Sequence, residues 1–272
     1  AGFRQPGSAG FADAWLIALA YTLQLYFDFS GYTDMALGMS RMLNIRLPVN
    51  FDSPYRATSI QDFWHRWHIT LSRFLRQYLY LPLGGNRGGR MATARNLLLT
   101  FLLGGLWHGA GWTYMLWGAL HGTSIAANHL WRSVVGERSR PFLYRAAAYM
   151  LTILLVVCGW VIFRSPSLAA AGRIFKGMLG GNGALLPEQL LGLIPPLRHL
   201  FHGVGLVPFL GDFTIMGAFE VFVMLAVGWT VVLVSPNLYQ MSRRAKLMLV
   251  ALSFAFVIQK ILFQGDISPF LY

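Results

Sequence analysis

Residues 97–117 read LLLTFLLGGLWHGAGWTYMLW, and no charged side chain occurs from Asn96 to Trp117. A helix that crosses a bilayer needs about 20 mostly apolar residues, so this stretch predicts a membrane helix, then a second after the turn. An ionisable side chain in such surroundings is costly and is a functional candidate by default. The candidate here is His108, surrounded by Gly104, Gly105, Gly109 and Gly111. Small residues let backbones approach closely or leave room for a substrate. A neutral imidazole in a dry site can accept a proton. The plainer alternative is a histidine hydrogen-bonded across a helix interface.

Working outward, apolar runs predict spans at 11–39, 96–110, 112–131, 144–163, 215–235 and 245–263, the second short and glycine-interrupted, as in a broken or re-entrant helix. The expected fold class is therefore an all-α membrane protein, one domain over residues 1–272 with no separate soluble part. Composition agrees: of 272 residues, 56% are hydrophobic and 12% charged, about half the charge of an ordinary soluble domain. The net charge of +12 sits in short clusters between apolar runs, Arg132, Arg138, Arg140 and Arg145, then Arg243, Arg244 and Lys246. Scattered clusters suit lipid headgroups and argue against nucleic acid. The positive-inside rule would put both on the cytoplasmic side. Cys158, in LTILLVVCGWVIF, reads as a small apolar residue.

Between the first two spans, QDFWHRWHITLSRFLRQYLYLP (61–82) has helical period. Trp64, Trp67, Leu71, Phe74, Leu75 and Tyr78 form one apolar stripe, with Arg66, Arg73 and Arg76 opposite. Such a helix lies in the membrane interface or dips into it. His65 and His68, at i and i+3, share a face. With His108 they would make a conceivable metal site, but no suitable Asp, Glu or Cys stands nearby except Asp62, and no metal is expected. His68 is better read as a polar partner of a substrate or of His108. Asp28 and Asp34, six apart on the first span, fall on different helix faces and do not suit a carboxylate pair; buried hydrogen bonds, or ion pairs with arginines such as Arg41 or Arg56, are expected instead. The turn YLPLGGNRGG flanks Asn86 and Arg87 with glycines, a weak signal for phosphate contact. His121 and His129 read as structural, and His199 and His202 carry no signal. A second amphipathic piece spans 167–179, followed by a Gly- and Pro-punctuated loop.

Three ordered motifs, YFDFSGYTDMALGMSRMLNIRLPVNFDSPY (26–55), DFWHRWHITLSRFLRQYLYLPLGGNR (62–87) and LLGGLWHGAGWTYMLWGALHG (102–122), together resemble the membrane-bound O-acyltransferase family. The likeness is to its bacterial polysaccharide branch, typified by alginate O-acetyltransferase. The tail FQGDISPFLY also looks like that branch. The resemblance implies a multi-helix transmembrane bundle around a funnel, with further helices ahead of this region, in the bacterial inner membrane. It implies an essential histidine in a W-H-G setting, here His108, and a second polar residue about 40 positions upstream, here His68.

The implied reaction is transfer of an acyl group, acetyl in this branch, from a thioester to a hydroxyl of an exported polysaccharide or a periplasmic acetyl-accepting partner protein. His108 would be the general base, with an oxyanion donor in His68 or the indole of Trp107. The donor, acetyl-CoA or an acyl carrier, would be a cosubstrate drawn to the arginines Arg76 and Arg87, with Asn86 and His65 beside them. Two other classes explain intramembrane polar residues: a transporter or flippase for lipid-linked saccharide, and a non-enzymatic scaffold. No two-fold internal repeat supports the former.

Overall fold

The computed structural model describes residues 9–135, 141–182, 215–237 and 240–242, with side chains from 221 onward in the last helix. Among them the chain is helical throughout: α1 (Phe11–Met42), α2 (Ile60–Arg66), α3 (Ile69–Leu75), α4 (Gly89–His108), α5 (Trp112–Val135), α6 (Phe142–Arg164), α7 (Leu168–Met178) and α8 (Ile215–Val234). The chain divides into two units, residues 1–233 and 234–272. The expected span at 245–263, Arg138, Arg140, the cluster at 243–246, the tail at 263–272 and His199 and His202 lie outside the described residues.

Helix starts follow local chemistry. Ser59 Oγ accepts from the Asp62 amide at 3.1 Å and Ser167 Oγ from that of Ala170 at 3.2 Å, capping α2 and α7. Asp62 then pairs with Arg66 one turn on, at 2.8 Å. Asp28 and Asp34 form no ion pair among the described residues: Asp28 faces outward and Asp34 is half-buried. The expected pairing with Arg41 or Arg56 is therefore not made.

α6 is the one described helix both long and apolar enough to cross a membrane, and a shorter apolar stretch covers Val221–Val234 of α8. α4 runs unbroken through Gly104 and Gly105 and ends at His108, so the glycines do not interrupt it. Gly104 faces Leu75 of α3, and Gly105 serves packing against α5, which returns antiparallel. A Cβ on Gly105 would strike the Tyr114 carbonyl oxygen, one on Gly118 that of Phe101, and one on Gly122 would lie 3.0 Å from the Leu98 Cα. Gly118 and Gly122, four apart, form the small-x-x-x-small face on which helix backbones meet.

The expected single helix over 61–82 is broken. α2 stops at Arg66, Trp67 is extended, and His68 adopts a left-handed backbone (φ 43°) before α3 begins. His65 and His68 consequently do not share a face. Trp64, Trp67, Leu71 and Leu75 are buried as the stripe predicts, but Phe74 and Tyr78 are 52% and 64% exposed. They fall off the stripe because the break resets the helical phase and because α3 loosens into a π turn at Arg76–Tyr80.

The core against which this segment rests is aromatic. Phe51, Tyr55, Phe63, Trp64, Trp67, Trp117 and Trp160 are all buried in one cluster. Two of its polar edges are paired: the Trp160 indole donates to the Tyr55 hydroxyl at 3.2 Å, and that hydroxyl donates to the Thr22 carbonyl at 2.8 Å, while the buried Trp117 indole N–H finds no partner among the described residues. α1, α2, α5 and α6 thus meet through one hydrogen-bonded aromatic block.

Candidate active site

His108 is the last residue of α4, and three rings enclose its imidazole. Trp107, Trp117 of α5 and Phe163 of α6 lie at 5.1, 5.4 and 5.2 Å between centroids, all near edge-to-face. The cage is not sealed, since His108 is only half-buried and Trp107 is 67% exposed. Neither His108 nitrogen has a hydrogen-bond partner among the described residues, so both can meet reactants. Standing at a helix C-terminus, the ring also faces the negative end of the helix dipole. That steadies the positive charge gained on taking a proton.

A second layer holds the cage. His121, fully buried, packs against Trp117 at 5.0 Å and Trp64 at 5.2 Å. Its Nδ1 accepts from the Trp64 indole N–H at 3.3 Å. An indole can only donate, so the hydrogen of neutral His121 is on Nε2. Gly159 is required opposite: a Cβ there would lie 2.7 Å from that Nε2. His121 is thus structural, as its sequence setting suggests. Replacing it with Leu strands the buried Trp64 N–H and should cost about 1–3 kcal/mol, read as a lower unfolding temperature of the solubilised protein. His121→Asn, whose amide oxygen reaches the Nδ1 position, should recover most of it.

His68 lies between the spans, at the α2–α3 break. Its ring meets Phe29 of α1 edge-on at 4.8 Å, and its Nδ1 lies 3.2 Å from the Asn50 side-chain oxygen. Burial, and then the charge of the neighbouring His108, push His68 down to about 4. It is therefore neutral at ordinary pH. The two histidines feel each other's charge, and no hydrogen bond joins them. Asn50 gave no sequence signal beyond the turn-like NFDSP that holds it.

His65, Arg76, Asn86 and Arg87 come together elsewhere, around a cavity of about 550 Å³ that His129 also lines. Trp64, Leu75 and Phe101 form its apolar wall, and the Tyr80 hydroxyl donates to Asn86 at its mouth. His68, His108 and Trp107 do not line it. The expected site residues thus separate into a histidine pair and a basic cavity. Trp64 joins them, lining the cavity and bonding to His121, which packs on the Trp117 beside His108. Among the described residues no group of three His, Cys, Asp or Glu could hold a metal ion.

The chain is 49% identical over 188 residues to the peptidoglycan O-acetyltransferase of Helicobacter pylori, covering 68% of this chain and 35% of that protein. It is 57% identical over 176 residues to "Probable alginate O-acetylase AlgI" of Pseudomonas syringae pv. tomato, covering 65% and 33%. A more distant match is the teichoic acid D-alanyltransferase of Bacillus subtilis, 36% identical over 113 residues, covering 39% and 29%. The chain spans about one third of the length of these relatives. Residues 5–171, more than half of the chain, match the family model, and the chain belongs to the membrane-bound O-acyltransferase (MBOAT) family.

Proposed function

We propose that this chain carries the catalytic centre of a multi-pass inner-membrane O-acyltransferase that moves acetyl from a thioester to a hydroxyl of an exported polysaccharide such as alginate. The observation that carries this reading is His108: an imidazole with two free nitrogens, fixed by three aromatic rings and still open to reactants. Membership of an acyltransferase family, and relatives named as O-acetyltransferase and O-acetylase, support it.

In the reaction, the acceptor hydroxyl oxygen attacks the thioester carbonyl carbon while His108 takes the hydroxyl proton. The tetrahedral oxyanion is met by the Trp107 indole N–H. Collapse breaks the C–S bond, and the imidazolium returns its proton to the leaving thiolate. General base catalysis of this kind contributes about 10²–10⁴ in rate. The aromatic cage keeps competing water away from the thioester. The acceptor is the polysaccharide itself or a periplasmic protein that passes the acetyl group on.

The donor, acetyl-CoA or an acyl carrier, is anionic in either case. The basic cavity takes its phosphate, with Arg76 and Arg87 as charge partners and Asn86 and His65 as hydrogen-bonding neighbours. A charge-assisted hydrogen bond is worth about 1.5–3 kcal/mol. Arg76→Gln and Arg87→Gln should therefore each raise the donor KM about tenfold or more, with kcat little changed. Unaltered donor affinity in the double variant contradicts this placement of the donor.

A further inference from the structure

Asn50 holds the start of α3 from outside the helix. Its backbone carbonyl accepts from the Ile69 amide at 3.0 Å. Its side-chain oxygen accepts from the Thr70 amide at 3.1 Å and the Thr70 hydroxyl at 2.9 Å. A backbone N–H only donates, so the Asn50 atom facing Thr70 is the amide oxygen. That same oxygen lies 3.2 Å from His68 Nδ1. An amide oxygen only accepts, so His68 Nδ1 must carry the hydrogen and neutral His68 keeps its lone pair on Nε2.

We infer that Asn50 is a positioning residue for acyl transfer, fixing His68 in the Nδ1–H tautomer so that Nε2 acts as a hydrogen-bond acceptor beside His108. The inference rests on the acyltransferase reading above and assigns roles within it. With its one N–H given to Asn50, neutral His68 has none left for an oxyanion, which leaves that task to Trp107. His68 Nε2 instead accepts a hydrogen bond from a hydroxyl of the incoming saccharide, while His108 takes the proton of the attacking one. The left-handed backbone at His68 lies at the same place. Asn50 bonds to Ile69 and Thr70 on one side of the break and to the His68 ring at it. Among the described residues, the ring contact and the side-chain hydrogen bond that reach the His68 ring come from Phe29 and Asn50, both uncharged, and the charge that acts on it is that of His108.

The test uses the full chain in native membranes, assayed with a thioester donor and a saccharide acceptor. Asn50→Leu removes the acceptor for Nδ1–H and should lower kcat about 10–100-fold with KM nearly constant, as losses of second-layer partners of functional histidines do. Asn50→Asp keeps an acceptor but adds a charge that favours imidazolium. It should retain activity within about tenfold and shift the acid limb of the pH–rate profile up by about one unit or more. Thr70→Val loses only its hydroxyl contact with Asn50 and should stay within about threefold of wild type. In ¹⁵N-histidine-labelled protein, His68 should carry its proton on Nδ1.

Wild-type kcat in Asn50→Leu, an unmoved acid limb in Asn50→Asp, or a proton found on His68 Nε2 overturns the inference. If Asn50→Leu fails to accumulate, the Asn50→Asp profile and the label decide. Should wild-type membranes transfer no acyl group, the acyltransferase reading itself fails, and should His108→Ala transfer at the wild-type rate, the role of His108 as base fails. Should His108→Ala be inactive while the Asn50→Asp profile stays put, only the role of Asn50 fails.

Discussion

Replacing His108 with Ala should lower acyl transfer by about 10²–10⁴ while the protein still accumulates in the membrane. Only the half-buried imidazole is removed, and its nitrogens bond to no described residue, so no buried polar partner is stranded. The cost to folding is limited to edge-to-face ring contacts, worth about 0.5–1.5 kcal/mol each for aromatic pairs. Activity should therefore fall far more than stability. Initial rates of transfer by isolated membranes, normalised to the amount of protein, check this. His108→Gln should fail equally, since an amide fills the cage but is no base. A transporter or a scaffold would keep its function in both variants.

Gly118→Leu should have the largest effect on folding. The glycine sits where α5 touches the Phe101 carbonyl of α4, and backbone cannot move aside as a flexible side chain can. Overpacking costs about 1–3 kcal/mol where neighbours can shift, and more where they cannot. A loss of about 3 kcal/mol or more is expected, read as protease sensitivity and a lower unfolding temperature. Activity should fall with it, because α4 carries His108 and α5 carries Trp117, so parting the hairpin opens the cage. Gly31→Leu is the matched control: nothing lies within 4 Å of a Cβ there, and stability should hold.

Much of this was readable from the chain because it depends on local pattern. The run that became α6 announces itself by length and apolarity, and α4 and α5 by the stretch from Asn96 to Trp117 that they share, which lacks Asp, Glu, Lys and Arg. His108 is conspicuous as the lone ionisable group among glycines and hydrocarbon. Trp64, Trp67, Leu71 and Leu75 follow helical spacing and are buried. What escaped reading depends on contacts distant in sequence. Periodicity carries α2 straight into α3, while the break there is met by contacts from Asn50, 18 residues before His68. A polar residue in a turn-rich stretch has no pattern to mark it as part of a site. Nor does spacing along one helix reveal that His65 and His68 end in different places, one at the basic cavity and the other near His108. The role of Gly104 and Gly105 was likewise open, since glycines that break a helix and glycines that let two helices touch look the same until the partner is known.

The most direct test of the account is mass analysis of cell-envelope polysaccharide from three strains: wild type, a gene deletion, and a chromosomal His108→Ala allele whose product is present at normal level. The account predicts ester-linked acyl groups in the wild type and their loss in both other strains. Polysaccharide from the His108→Ala strain that remains acylated as in the wild type would contradict it.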